Sequence, residues 1–139
     1  MRNLILGPVA LIAGLCALPV AAATGALAAA SGSYICAIGE VYECEAVNGC
    51  KRVSTDAINL SEFIVVDVDK KQLTEAAIGE NGDTEDIEGL SSNDKNIFLY
   101  GTQDQETWNA TISLENGALT GGISSGASSF ALFGNCTKK

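Results

Sequence analysis

From Trp108 to Ser124 the chain alternates apolar and polar residues around a single turn signal, a pattern that dictates an antiparallel β-hairpin. Trp108, Ala110, Ile112 and Leu114 alternate with Asn109, Thr111 and Ser113, the period of a half-buried strand. Asn116-Gly117 follows, a pair that tolerates the positive φ angles of a two-residue type I′ turn. Ala118, Leu119 and Ile123 then carry the apolar pattern back.

The remaining stretches read as more short strands. Phe63 to Val68 is the clearest, with Ile64, Val66 and Val68 on one face and Phe63, Val65 and Asp67 on the other. Tyr34 to Tyr42, Asn96 to Thr102 and Phe130 to Phe133 are rich in aromatic and β-branched residues, which favour strands. Leu73 to Ile78 contains good helix formers, yet its place between turns assigns it to a strand. Cys44 to Asn59 reads as irregular around the Asn48-Gly49 turn, with Ser54-Thr55-Asp56 starting one helical turn that runs to Leu60. Glu80 to Glu88 reads as an exposed acidic loop with a short edge strand at most. Residues 66–74 also echo residues 112–120: apolar, polar, apolar, a polar turn, then Leu-Thr. Two matched hairpins are the simplest cause. The expectation is an all-β fold, a small antiparallel meander of seven or eight strands closed as a barrel, with a two-sheet sandwich as the alternative.

The first thirty residues set the compartment. Arg2 is followed by an apolar stretch from Leu4 to Ala30, with Ala-x-Ala sites at Ala21-Ala22-Ala23 and Ala28-Ala29-Ala30. That layout predicts a secretory signal peptide over residues 1–30, cleaved before Ser31, and a single β domain over residues 31–139. Cys16 leaves with the leader, and Leu15 before it is too large for a lipoprotein anchor. Cys36, Cys44, Cys50 and Cys136 remain, an even number in an oxidising, periplasmic or secreted location. Three pairings are open to them. The expected one is Cys44–Cys50 as a local staple and Cys36–Cys136 joining the two ends of the sheet.

Charge narrows the partners. The full chain carries a formal −9, and without Arg2 the remaining 7 basic and 17 acidic residues give −10. Nucleic acid is not an expected partner, since it demands a basic face. Stable membrane insertion is not expected once the leader is gone, and a monomer is. A basic exported protein is the partner that this charge would draw. The chain has no His, which removes Ser-His-Asp and Cys-His nucleophiles and weakens any metal reading. Glu80 to Glu88 does not match the ligand spacing of an EF-hand. Asp67 and Asp69 read as solvated acids at a strand end. No catalytic residue, metal or cofactor is expected, and the aromatic residues read as core.

Two resemblances add to this. Phe63-Ile64-Val65-Val66-Asp67-Val68-Asp69, Leu99-Tyr100-Gly101-Thr102-Gln103, Trp108-Asn109-Ala110-Thr111-Ile112 and Phe130 to Thr137 resemble small exported proteobacterial proteins of unknown function. That resemblance implies a periplasmic location and a compact β fold, with no activity attached. Tyr34-Ile35-Cys36 with Gly39, and later Ser125-Gly126-Ala127, are similar to short motifs of the membrane-bound inhibitors of c-type lysozyme. Those are eight-stranded periplasmic barrels whose Ser-Gly-Ala loop enters the lysozyme cleft, which implies Ser125 as the inserting residue. Here Ser128-Ser129 stands where that family has Arg-Tyr.

Together these features predict an exported, non-catalytic envelope or periplasmic binding or accessory protein of unknown ligand. An inhibitor of a basic exported enzyme such as c-type lysozyme is one alternative, acting through Ser125, Gly126 and Ala127. A lipocalin-like carrier of a small apolar ligand is the other. It needs an empty interior, whereas Trp108, Phe98 and Leu114 are expected to fill it.

Overall fold

The computed structural model describes residues 30–75 and 82–139. They form β1 (Ser33–Glu45), β2 (Gly49–Val53), β3 (Phe63–Asp67), β4 (Gln72–Glu75) and β5 (Thr84–Asp86) in the first half. The second half adds β6 (Gly89–Ser92), β7 (Asn96–Gln103), β8 (Glu106–Ser113), β9 (Ala118–Ser125) and β10 (Ser128–Lys138). A single 3-10 turn, Thr55–Ile58, lies between β2 and β3. It runs from Ser54 to the left-handed Asn59, close to the turn that the sequence predicts. The predicted leader lies almost wholly outside the described residues, as do Ala76 to Ile78 of the predicted strand after Leu73. Among the described residues, no helix is long and apolar enough to cross a membrane.

The fold is the all-β antiparallel meander that the strand pattern predicts. Its strand order is β5-β4-β3-β1-β10-β9-β8-β7-β6, with β2 added beside β1. The first and last strands do meet. β1 and β10 pair from Tyr34↔Lys138 to Glu45↔Ser128. Two details differ from the expectation. The described residues form ten strands rather than seven or eight, because β2 and β6 were not visible as apolar runs. The ladder also stops at β5 and β6, leaving an open half-barrel rather than a closed one.

Gly39 accounts for the irregular pattern of the first strand. The register slips between Ile38 and Glu40, so Gly39 is the extra residue of a β-bulge. Tyr34, Cys36 and Ile38 face the core on even positions, and after the bulge Val41 faces it on an odd one. The bulge also divides the outer edge of β1. Residues 33–37 pair with β3 and residues 41–45 pair with β2.

The internal echo is structural. Val66 pairs with Leu73 in one hairpin, and the aligned Ile112 pairs with Leu119 in the other. Lys71 and the aligned Gly117 both adopt positive φ, 54° and 76°. Asn116 does not, so the second turn is a four-residue loop closed by Gly117 N–H donating to Ser113 O at 2.9 Å, and not type I′.

The core is aliphatic. Val41, Val66, Ile97 and Ile112 are almost completely buried with Cys36. On β7, Ile97 and Leu99 point inward, which forces Phe98 and Tyr100 to the outer face. Phe63, Phe133 and Leu114 are also exposed. Of the residues expected to fill the interior, only Trp108 does so, and it is half-buried. Strand parity overrides the preference of aromatic rings for burial.

Both disulfides join register partners. Cys36–Cys136 bridges β1 to β10 inside the core with Cα atoms 3.9 Å apart, and Cys44–Cys50 closes the β1–β2 hairpin at 4.0 Å. Such bridges belong to an oxidising, extracytoplasmic environment. They differ in the chain length they close, 100 residues against 6. Chain-entropy arithmetic then predicts unequal losses on removal. Replacing Cys36 and Cys136 by Ala is expected to cost about 4–5 kcal/mol in urea unfolding, and replacing Cys44 and Cys50 about 2 kcal/mol. Equal losses would show that native packing, rather than loop closure, sets the contribution.

Candidate functional site

The concave side of the half-barrel holds an apolar cleft. Its floor is Ile38, Ile64, Leu119 and Leu132, with Leu73 on one wall and Trp108, Ala110 and Ile123 on the other. Residues of β3 and β4 thus face residues of β8 and β9, which lie far from them in strand order. The sheet must curl for these two arms to share a cleft. The enclosed volume is about 80 Å³.

Trp108 is held on its wall by the absence of a side chain opposite. Gly101 on β7 pairs with Trp108 on β8, and a Cβ on Gly101 would sit 2.6 Å from the indole ring. No real contact is that short, so only glycine lets the ring lie flat against β7 and turn its other side to the cleft.

The rim is acidic. Glu75 ends β4, Glu85 is the middle residue of β5, and Gln103 and Glu106 flank the β7–β8 turn. β4–β5 pairing brings Leu73 opposite Glu85, so both project inward on the same face as Glu75. No lysine or arginine lines the cleft among the described residues. The ion pairs seen there lie elsewhere: Lys51 with Glu43, Arg52 with Glu40, Lys70 with Asp67, and Lys95 with Glu115.

This setting shifts the rim carboxyls upward. Partial burial raises Glu75 above the ordinary glutamate value, and the neighbouring Asp83 adds to the shift. Glu85 is raised for the same first reason, then by repulsion from Glu75, Asp83 and Asp104. Asp67 moves the other way. Its carboxylate accepts a hydrogen bond from Lys70 N–H at 2.9 Å and pairs with the Lys70 side chain, which lowers its value. Asp69 accepts from Gly32 N–H at 3.0 Å. Asp67 thus holds the β3–β4 turn, while Asp69 ties the chain entering β1 to that turn, a structural part beyond the solvated acids that the sequence suggests.

The other sequence candidates lie apart from the cleft. Ser125 and Ser128 close the β9–β10 hairpin around Gly126 and Ala127. Gly126 has φ +55° and nothing near the position of a Cβ. Ser128 pairs with Glu45, so this tip stands beside the Cys44–Cys50 staple. Of the predicted acidic loop, Glu80 and Asn81 lie outside the described residues. Asp83 and Glu85 serve the rim, Ile87 is buried, and Glu88 bonds both the N–H and the hydroxyl of Thr102. Among the described residues, no group of three or more His, Cys, Asp or Glu is placed to hold a metal ion.

The cleft itself was not legible in the sequence. Glu75, Glu85 and Glu106 are ordinary acids in three separate stretches, and only strand register brings them to one mouth. The Gly101-Trp108 pairing was the one signal available, since a glycine opposite an aromatic residue marks a shelf for its ring.

Comparisons with family models, curated proteins and solved structures returned no match.

The raised rim carboxyls fix a sign for pH dependence. A group whose value is higher in the folded state contributes stability at low pH, and the contribution is lost as pH rises through that value. Glu85→Gln is therefore expected to raise the urea midpoint at neutral pH, and the gain should vanish below the ordinary glutamate value of 4.5. Gly101→Ala should cost about 1–3 kcal/mol by overpacking and change the emission of Trp108, the only tryptophan.

Proposed function

We propose that the domain is an exported, non-catalytic binding protein of the periplasm or extracellular space, and that its partner is basic. The cleft is the observation that carries this reading. It combines an apolar floor with a mouth of three glutamates, two of them raised first by partial burial and then by the charges of neighbouring acids. Such a mouth attracts a cation and repels an anion, and exclusion of water strengthens both effects.

The size of the cleft favours recognition of one side chain or a short apolar stem. An apolar cavity that accepts benzene measures about 150 Å³, roughly twice what is enclosed here. A carrier of the lipocalin kind needs more room. No histidine is present to act as a base, and the reading gives the protein no reaction to perform.

A second reading rests on the Ser125-Gly126-Ala127 tip. It is a narrow, unobstructed turn beside a stapled hairpin, and a projection of this kind suits insertion into the cleft of a basic enzyme such as c-type lysozyme. An assay of lysozyme activity tests it. Inhibition by the wild type that is lost in Ser125→Tyr supports the reading, and undiminished lysozyme activity removes it.

The cleft reading is tested with hexylamine and hexanoate, which share an apolar stem and differ in the sign of the head. Hexylamine is expected to change Trp108 emission, less so at high salt and in Glu85→Gln, while hexanoate leaves it unchanged. An equal response to both, or to neither, overturns a basic partner at this site.

A further inference from the structure

β5 and β6 are joined by Ile87 and Glu88 alone, yet they share no ladder. They are two halves of one bent strand, the first paired with β4 and the second with β7. The bend leaves each half with a free edge. Near β6, the chain that leads into β1 crosses over, and Ala30 N–H donates to Ser92 Oγ at 3.0 Å. Across from β5 lies the mouth of the cleft. Glu85 on β5 feels the charge of Asp104 in the β7–β8 turn, so the two sides of the mouth are near one another without being bonded.

The direction of the free backbone groups can be read from the bonds already made. Ile87 N–H donates to Lys71 O at 2.8 Å, and Glu75 N–H donates to Asp83 O at 2.9 Å. In an antiparallel pair, alternate residues bond the same neighbour. Residues 83, 85 and 87 therefore face β4, and the N–H and C=O of Thr84 and Asp86 face away from it, toward the mouth. Among the described residues no strand bonds this edge of β5. It is a short edge, and its surroundings are acidic.

We propose that this edge accepts one extended strand from a basic partner protein, which completes the ladder across the mouth. The inference rests on the cleft reading above and adds the backbone to it. Strand addition takes affinity from main-chain bonds and specificity from alternate side chains. Here the inward side chains of the added strand meet an apolar floor and then the glutamates of the rim. The motif is an apolar residue followed two positions later by a lysine or arginine. The cleft takes the first, and Glu75 and Glu85, without ion-pair partners among the described residues, take the second. Residues between and beside them point outward and are free to vary.

Strand geometry gives the test its sharpest arm. Added antiparallel, as every ladder among the described residues is, a residue that bonds Thr84 or Asp86 has its side chain on the outer face, as they do. The probe is the acetylated, amidated pentapeptide threonyl-leucyl-threonyl-lysyl-threonine, followed by Trp108 emission and by amide hydrogen exchange at Thr84 and Asp86. It is expected to shift the emission and to slow exchange at both amides. Methylating the threonine amides should weaken it about tenfold or more, as expected for losing main-chain bonds. Methylating the leucine and lysine amides should leave its pairing with β5 intact. Asp86→Pro removes one outward donor at an edge position that tolerates proline, and it should weaken the pentapeptide while the hexylamine response stays unchanged.

Equal binding of both methylated peptides overturns strand addition and leaves the cleft reading in place. Absence of any response to hexylamine and pentapeptide alike overturns both. Slow exchange at Thr84 and Asp86 without peptide, in a sample that sedimentation shows to be dimeric, assigns the edge to a second copy and overturns the partner strand.

Discussion

The pairing of β1 with β10 is the interaction on which the rest of the structure depends. It joins residues about a hundred positions apart, and the Cys36–Cys136 bridge locks one of its register pairs inside the core. Each side of this central pair carries an arm of the meander. β3, β4 and β5 hang from β1, and β9, β8, β7 and β6 hang from β10. Among the described residues, every other ladder joins strands consecutive in the chain except β1–β3, which skips β2. Without the central pair the two arms have no fixed relation, and the cleft between them does not exist. Closing so long a loop is costly in chain entropy, and a covalent link reduces that cost in the unfolded chain.

The curl of the sheet explains why the arms approach without zipping. Gly39 bends β1 at its bulge and lets two strands share one edge. The inner face then tapers over Ile and Val side chains, while Phe63, Phe98, Tyr100 and Phe133 occupy the outer face. The bent β5–β6 strand spans the remaining gap covalently but pairs with only one neighbour at a time. A cleft at the point where a ladder is interrupted has apolar walls and unbonded backbone together, which is the combination that a peptide strand needs.

Identical acids play different parts according to what the fold puts beside them. Asp67 accepts the Lys70 N–H at the β3–β4 turn and pairs with the Lys70 side chain, which favours its charged form. Glu75 and Glu85 sit partly buried beside other acids and are held toward the neutral form. The first arrangement adds stability at neutral pH, and the second subtracts from it. Proteins tolerate such destabilisation where a ligand supplies the missing charge, and that asymmetry underlies the reading of the mouth as a site for a cation.

Much of the fold was legible because strand periodicity is a local property. The alternation at Ile64, Val66 and Val68 set the buried face of β3, and the pattern from Trp108 placed the hairpin of β8 and β9. The cysteine spacing suggested the pairing that the structure contains. The misses share one cause. β2 and β6 are Gly49-Cys50-Lys51-Arg52-Val53 and Gly89-Leu90-Ser91-Ser92, which lack an apolar stripe and become strands only because a neighbour offers an edge. Phe98 and Leu114 looked like core on hydrophobicity alone, but inward or outward direction depends on register with the next strand. The sequence by itself determined which strongly patterned segments are extended and which of their residues share a face, because these follow from period along the chain. Tertiary structure alone decided where the ladder ends, and so where Glu75, Glu85 and Glu106 surround an open cleft. That outcome depends on the curl accumulated over many strands, and no single stretch of sequence encodes it.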